Sequence, residues 1–90
     1  MNLSWDESKR RRILAERGLD LSDCGEIFDG LHVDILDDRF DYGEIRFITF
    51  GLLKNRLCAV VWTQRGDTTH LISLRKANDR EQKKYTAGMD

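Results

Sequence analysis

Arg65 and Arg75 are the residues whose types most directly suggest chemistry. Each stands at the end of a strand-like stretch. A guanidinium is a planar fork that donates to two phosphate oxygens at once and stays charged at any working pH. Between them lies His70, the side chain whose ordinary pKa best suits proton transfer near neutrality. Residues 70 and 75 differ by an odd number, so on an unbulged strand they point to opposite faces of a sheet, which would leave His70 beside Ile72 and Leu74. Glu81 and Tyr85, one helical turn apart, share a face and could bring a carboxylate and a phenol over the sheet. Each residue also has a purely structural use. The arginines can pair with Asp67 or Glu81, His70 can pack in its strand, and Glu81 and Tyr85 can simply dock their helix.

Trp62 could stack an unpaired base for about 1 to 3 kcal/mol, although a strand tryptophan is more often core. The run Lys9 to Arg12 could touch a polyanion or be a solvated helix face. Trp5 reads as a helix anchor, and His32, on an acidic strand, as structural. Cys24 and Cys58 lie 34 positions apart with no second ligand near either, so they read as small buried hydrophobes and no metal site or cofactor is expected.

These residues must be positioned by 90 residues, enough for one domain, 1–90, that buries about three fifths of its unfolded surface. Hydrophobic residues are 40% and charged ones 34%, which excludes disordered and collagen-like chains. No apolar run reaches the roughly 18 residues of a membrane span, and no signal-peptide core follows Met1, so a cytoplasmic protein without a membrane partner is expected. The net charge of −1 hides a segregation: residues 1–18 sum to +2, residues 19–53 to −7 and residues 54–90 to +4. Such a chain can offer a basic face to a polyanion such as RNA, and an acidic face to a basic protein.

The local signals order the elements. Ser4 and Glu7 fit a capping box opening a helix over about 5–17, which Gly18 closes. Asp20 caps a shorter helix through Phe28, and Gly30 ends it. Alternation then takes over: an edge strand 32–36, a hairpin of 44–52 and 57–65 around Lys54-Asn55, and a strand 68–75 after the turn Arg65-Gly66-Asp67. Asn78 to Glu81 is a second capping signature, opening a helix to about Ala87. The expectation is an α+β fold with two N-terminal helices, a four-stranded, mainly antiparallel sheet and a C-terminal helix in one layer pair.

Three stretches in this order resemble the BrnT family of bacterial toxins, within the wider RelE-like ribonuclease group. They are Trp5-Asp6 with Lys9, Gly18 and Phe28; Glu44-x-Arg46-Phe47 with Gly51; and Thr63-Gln64-Arg65-Gly66-Asp67, Ile72 to Ala77, Glu81 and Tyr85. The chain departs from the family's usual residues at Ile13, Glu16-Arg17, Gln64, His70 and Leu74. The resemblance implies a RelE-like fold and a ribonuclease that cuts RNA without metal, on the ribosome or off it, and inhibits translation. It also implies neutralisation by a BrnA-like ribbon-helix-helix antitoxin, through which alone operator DNA is bound. Cleavage of that kind needs a base for the 2′-hydroxyl, cations for the phosphorane and an acid for the leaving oxygen. Arg65, Arg75, His70, Tyr85 and Glu81 are the candidates for those roles, with the two arginines meeting over one anion pocket, and Trp62, Lys76 and Lys9 are the candidate RNA contacts. The alternative is a non-catalytic module that binds RNA or antitoxin and takes part in operon autoregulation.

Overall fold

In a computed structural model, described here over residues 1–86, the elements run β1 (Asn2–Ser4), α1 (Glu7–Arg17), a 3₁₀ turn (Leu21–Asp23), α2 (Gly25–Asp29), β2 (His32–Asp37), β3 (Arg46–Leu53), β4 (Arg56–Arg65), β5 (Thr68–Lys76) and α3 (Asp79–Thr86). Ala87, the expected end of the last helix, lies outside the described residues.

The expected four-stranded sheet is corrected to a five-stranded mixed one in the order β1-β5-β4-β3-β2. The added strand is β1, which runs parallel to β5 and sets Ser4 against His70. Ser4 was expected to cap α1, but Asp6 takes that role. Its Oδ1 accepts from the backbone of Ser8 at 2.9 Å and of Lys9 at 3.3 Å. A carboxylate suits the positive end of a helix better than a hydroxyl does, so Ser4 is released to the sheet edge. Gly18 ends α1 with φ of +68°, its amide donating to Leu14 O. The second helix begins as a 3₁₀ turn capped by Asp20 and becomes α-helical only from Gly25.

The helices do not share one side, so the expected single layer pair becomes three layers. Ile13, Leu19, Leu21, Cys24 and Ile27 pack with Cys58, Val60, Leu71 and Leu74 on one face of the sheet. On the other, α3 lays Tyr85 over Phe50, ring centroids 4.3 Å apart, beside Leu57, Ala59 and Ala77. Both cysteines are fully buried on the first face, and burial pushes the Cys24 thiol up to about 12, which fits an inert packing role.

Gly51 is where α2 and β3 approach most closely: a Cβ there would lie 2.7 Å from Ile27 Cγ2 and 3.3 Å from Ile27 O. Ile27 is wholly buried and has no room to retreat. Gly51→Ala is therefore expected to destabilise the fold by about 1 to 3 kcal/mol, read as a lower denaturant midpoint.

One irregularity decides where the chemistry points. β4 is regular, but between its partners for Val61 and Trp62, which are Ser73 and Leu71, strand β5 carries the unmatched Ile72. This bulge offsets the parity of β5 by one residue. Leu71 and Leu74 consequently both enter the first core, and His70 and Arg75, facing Thr63 and Ala59, emerge together on the opposite face.

Candidate active site

Alternation outward from Phe50 and Ala59 puts Ile48 and Arg46 of β3, Val61, Thr63 and Arg65 of β4, and His70, Ser73 and Arg75 of β5 on the face that α3 covers. The α3 contacts, Phe50, Leu57, Ala59 and Ala77, lie at one end of that face. Ile48, Val61 and Ser73 are left half-buried between two cationic ends.

Arg65 and Arg75 do not meet over one anion, contrary to the sequence expectation. Ala59, which pairs with Arg75, is six residues from Arg65 on β4, so the two positions are about 20 Å apart. The reason is plain in the register. Both arginines end strands, but antiparallel strands put those ends at opposite edges of the ladder.

A different pair does converge. Arg46 Nη2 lies 3.5 Å from Glu44 Oε1, and Arg65 Nη2 lies 3.5 Å from Glu44 Oε2. One carboxylate is thus shared by two guanidinium groups at long range, in the manner of a resident anion that a phosphate could displace. Arg46 stacks over the Tyr42 ring at 4.1 Å, and among the described residues its buried Nε has no hydrogen-bond partner. A buried donor left open is costly unless something accepts from it. Beside the pair is an open depression of about 430 Å³ lined by Glu44, Ile45, Phe47, Thr63, Gln64 and Arg65, within the size range of small-ligand sites. Sequence reasoning placed Glu44-x-Arg46 among the resembling stretches without giving either residue a role. The signal was available, since an antiparallel hairpin sets the start of its first strand, Glu44-x-Arg46, beside the end of its second, Arg65.

His70 stands on the strand next to Arg65. Its Nδ1 is 2.8 Å from Ser4 Oγ. Burial first, and then the Arg65 cation, hold its pKa below the ordinary 6.5, with Glu44 opposing. It is therefore mostly neutral at pH 7. With Nδ1 donating to Ser4, the Nε2 lone pair would be free to accept a proton.

At the far end, Arg75 Nη1 and Nη2 donate to the two Glu81 oxygens at 2.7 and 2.9 Å. Glu81 also accepts from Asn78 N at 3.0 Å, while Asn78 Oδ1 accepts from Glu81 N at 2.8 Å, completing the expected capping box. Arg75 holds the Glu81 carboxyl below its ordinary 4.5. The pair's stabilisation is thus complete above that value and is lost as pH falls through the lowered pKa. Glu81→Ala is expected to cost about 1 to 2 kcal/mol through the lost cap and ion pair. The same change frees a cation and removes an anion, so affinity for single-stranded RNA should rise as stability falls. Thermal melts and fluorescence anisotropy check the two signs separately.

Trp62 lies on the other face. Its Nε1 donates to Thr49 Oγ1 at 2.7 Å, Phe47 stacks on it with centroids 4.9 Å apart, and Phe28 meets it edge-on. Lys9, half-buried, shares the inner stripe of α1 with Ile13; burial lowers its pKa, with the Arg12 and Arg46 cations adding to the effect. Lys76 lines a separate depression of about 340 Å³ with Lys54, Arg56, Asp20 and Asp23 at the opposite end of the molecule. Among the described residues no cluster of three or more His, Cys, Asp or Glu side chains could hold a metal ion, and no helix is long and apolar enough to cross a membrane.

Fold and site together define a small α+β protein whose sheet presents paired guanidinium groups to an anion. The family model described as "Ribonuclease toxin, BrnT, of type II toxin-antitoxin system" matches residues 5–81, and the chain belongs to that family. A comparison with curated proteins found no match.

Proposed function

We propose that this chain is an endoribonuclease toxin that cuts single-stranded RNA by attack of the 2′-hydroxyl on the adjacent phosphate, without a metal, and thereby inhibits translation in the cytoplasm. The observation that carries the reading is the Arg46–Glu44–Arg65 cluster beside an open depression, with His70 on the neighbouring strand.

In this reading a phosphate replaces Glu44 between the two guanidinium groups, which neutralise the charge that builds on the phosphorane. His70 Nε2 takes the 2′-hydroxyl proton while the Ser4 hydroxyl holds the ring through Nδ1. The leaving 5′-oxygen takes a proton from water in the open depression, and His70 returns the proton it took to solvent. Arg75 binds a neighbouring phosphate, since about 20 Å of sheet spans several nucleotides of extended strand. Glu81 and Tyr85 hold α3 in place. Trp62, already stacked on Phe47, belongs to packing, and Lys9 and Lys76 add long-range attraction.

A ribbon-helix-helix antitoxin of the BrnA type would neutralise the toxin, and the complex would bind operator DNA through the antitoxin. Purified protein incubated with mRNA in EDTA, with and without ribosomes, tests the chemistry. The reading expects 5′-hydroxyl and 2′,3′-cyclic phosphate ends and arrested growth on induction. Products with 5′-phosphate ends would contradict the mechanism, and intact RNA under every condition would favour a non-catalytic binding module.

A further inference from the structure

β2 is an edge of the sheet, pairing only with β3 among the described strands, so one row of its backbone N–H and C=O groups is open. The apolar exposure of the chain concentrates near it. Of the seven exposed large hydrophobics among the described residues, Leu31, Leu36, Phe40, Ile45 and Leu52 fall between residues 31 and 52, with Leu31, Phe40 and Ile45 each at least two-thirds exposed. Charge concentrates there as well. Residues 29–44 contain Asp29, Asp34, Asp37, Asp38, Asp41 and Glu44 against Arg39 alone, a net −5 with histidine neutral.

The acids weigh against pairing of the edge with a second copy of itself, because two such segments side by side would repel. They do not explain Leu36, Phe40 and Ile45, which a solvated edge has no reason to carry. Both features fit an extended segment that alternates basic and apolar residues, adding one strand with its backbone and matching the carboxylates with its charge. Position gives the segment a consequence. Leu36 lies opposite Phe47, and both Phe47 and Ile45 line the depression beside Arg65. A strand laid on β2 and continued past Asp37 would run to the mouth of that depression.

We propose that the β2 edge is the antitoxin-docking surface, and that the occupant is a basic, apolar segment of the antitoxin that pairs with His32–Asp37 and ends over the Arg46–Arg65 site. This rests on the antitoxin partnership set out above.

The test uses the antitoxin of this chain's own pair, co-expressed and then separated in denaturant. Amide hydrogen exchange of residues 32–37 and titration calorimetry are measured for the wild type, for Leu36→Lys/Asp38→Lys, and for Lys54→Ala/Arg56→Ala at the other end of the molecule. Leu36 and Asp38 are exposed, so their replacement should leave the circular dichroism melt unchanged, which is measured alongside. The expected result is protection of the edge amides on binding and a loss of affinity of about tenfold or more for the edge variant alone. Tight binding with unprotected edge amides and equal affinity for all three proteins would overturn the edge assignment alone. No binding by the wild type would overturn the antitoxin partnership and the edge with it. Protection of the same amides in the free toxin at high concentration, with a dimer by light scattering, would give the edge to a second copy and overturn the stated occupant.

Discussion

Replacing Arg46 and Arg65 together by alanine is expected to reduce RNA cleavage by about 10²- to 10³-fold and to abolish growth arrest on induction. One well-placed donor to a developing oxyanion is worth about that much, and two that serve the same charge act as a unit rather than adding. The fold should survive, because Arg65 is exposed and the Arg46 guanidinium lies at the rim of the sheet against Glu44 and Tyr42. The single changes should each give most of the loss. Arg75→Ala should instead weaken RNA binding modestly and lower the salt dependence of affinity by about one phosphate contact, since that guanidinium is committed to Glu81 at 2.7 and 2.9 Å. Cleavage rates on a labelled oligonucleotide, measured at saturating protein, separate the two behaviours.

His70→Ala is expected to cost about 10²-fold or more in cleavage rate and, more tellingly, to change the pH profile. A base must be deprotonated to work, and burial and Arg65 hold this imidazole below 6.5. Wild-type activity should therefore be level near pH 7 and fall only as pH drops below that lowered value. The alanine variant should lose that acidic limb, and Ser4→Ala should retain it while reducing the rate less. A variant that kept the wild-type limb would remove the base role from His70.

Much of this architecture was legible because local chemistry and tertiary structure agree. Gly18 ends α1 where its φ of +68° requires glycine, Lys54-Asn55 turns the hairpin with both residues at positive φ, and Asn78 and Glu81 cap α3 reciprocally. Three features were not legible, each for a non-local reason. β1 has too few residues for alternation to register, and its partner strand β5 lies more than sixty positions away. Ser4 lost its expected capping role to a better acceptor two residues on. The bulge at Ile72 has no marker of its own in the sequence, yet it alone brings His70 to the face of Arg75, an arrangement that parity argued against.

The site was half legible for the same reason. Arg65 and His70 were singled out, but Arg46 comes to Arg65 only through the β3–β4 register, with Glu44 between them. Residue type pointed to guanidinium groups, and pairing them needed the sheet. Arg75 was assigned to the wrong partner because two arginines that both end strands look equivalent until the antiparallel ladder separates them.

The central claim is that the guanidinium groups of Arg46 and Arg65 together hold an RNA phosphate. The most direct measurement is the side-chain ¹⁵Nε–¹Hε spectrum of the arginines in the His70→Ala protein, titrated with a single-stranded RNA whose 2′-hydroxyls are methylated to block cleavage. The Arg46 and Arg65 resonances should shift together and saturate at one concentration, with the Arg46 Nε proton moving furthest as it gains the acceptor it lacks. Shifts confined to Arg75, or to the Lys54, Arg56 and Lys76 end, with Arg46 unmoved, would contradict it.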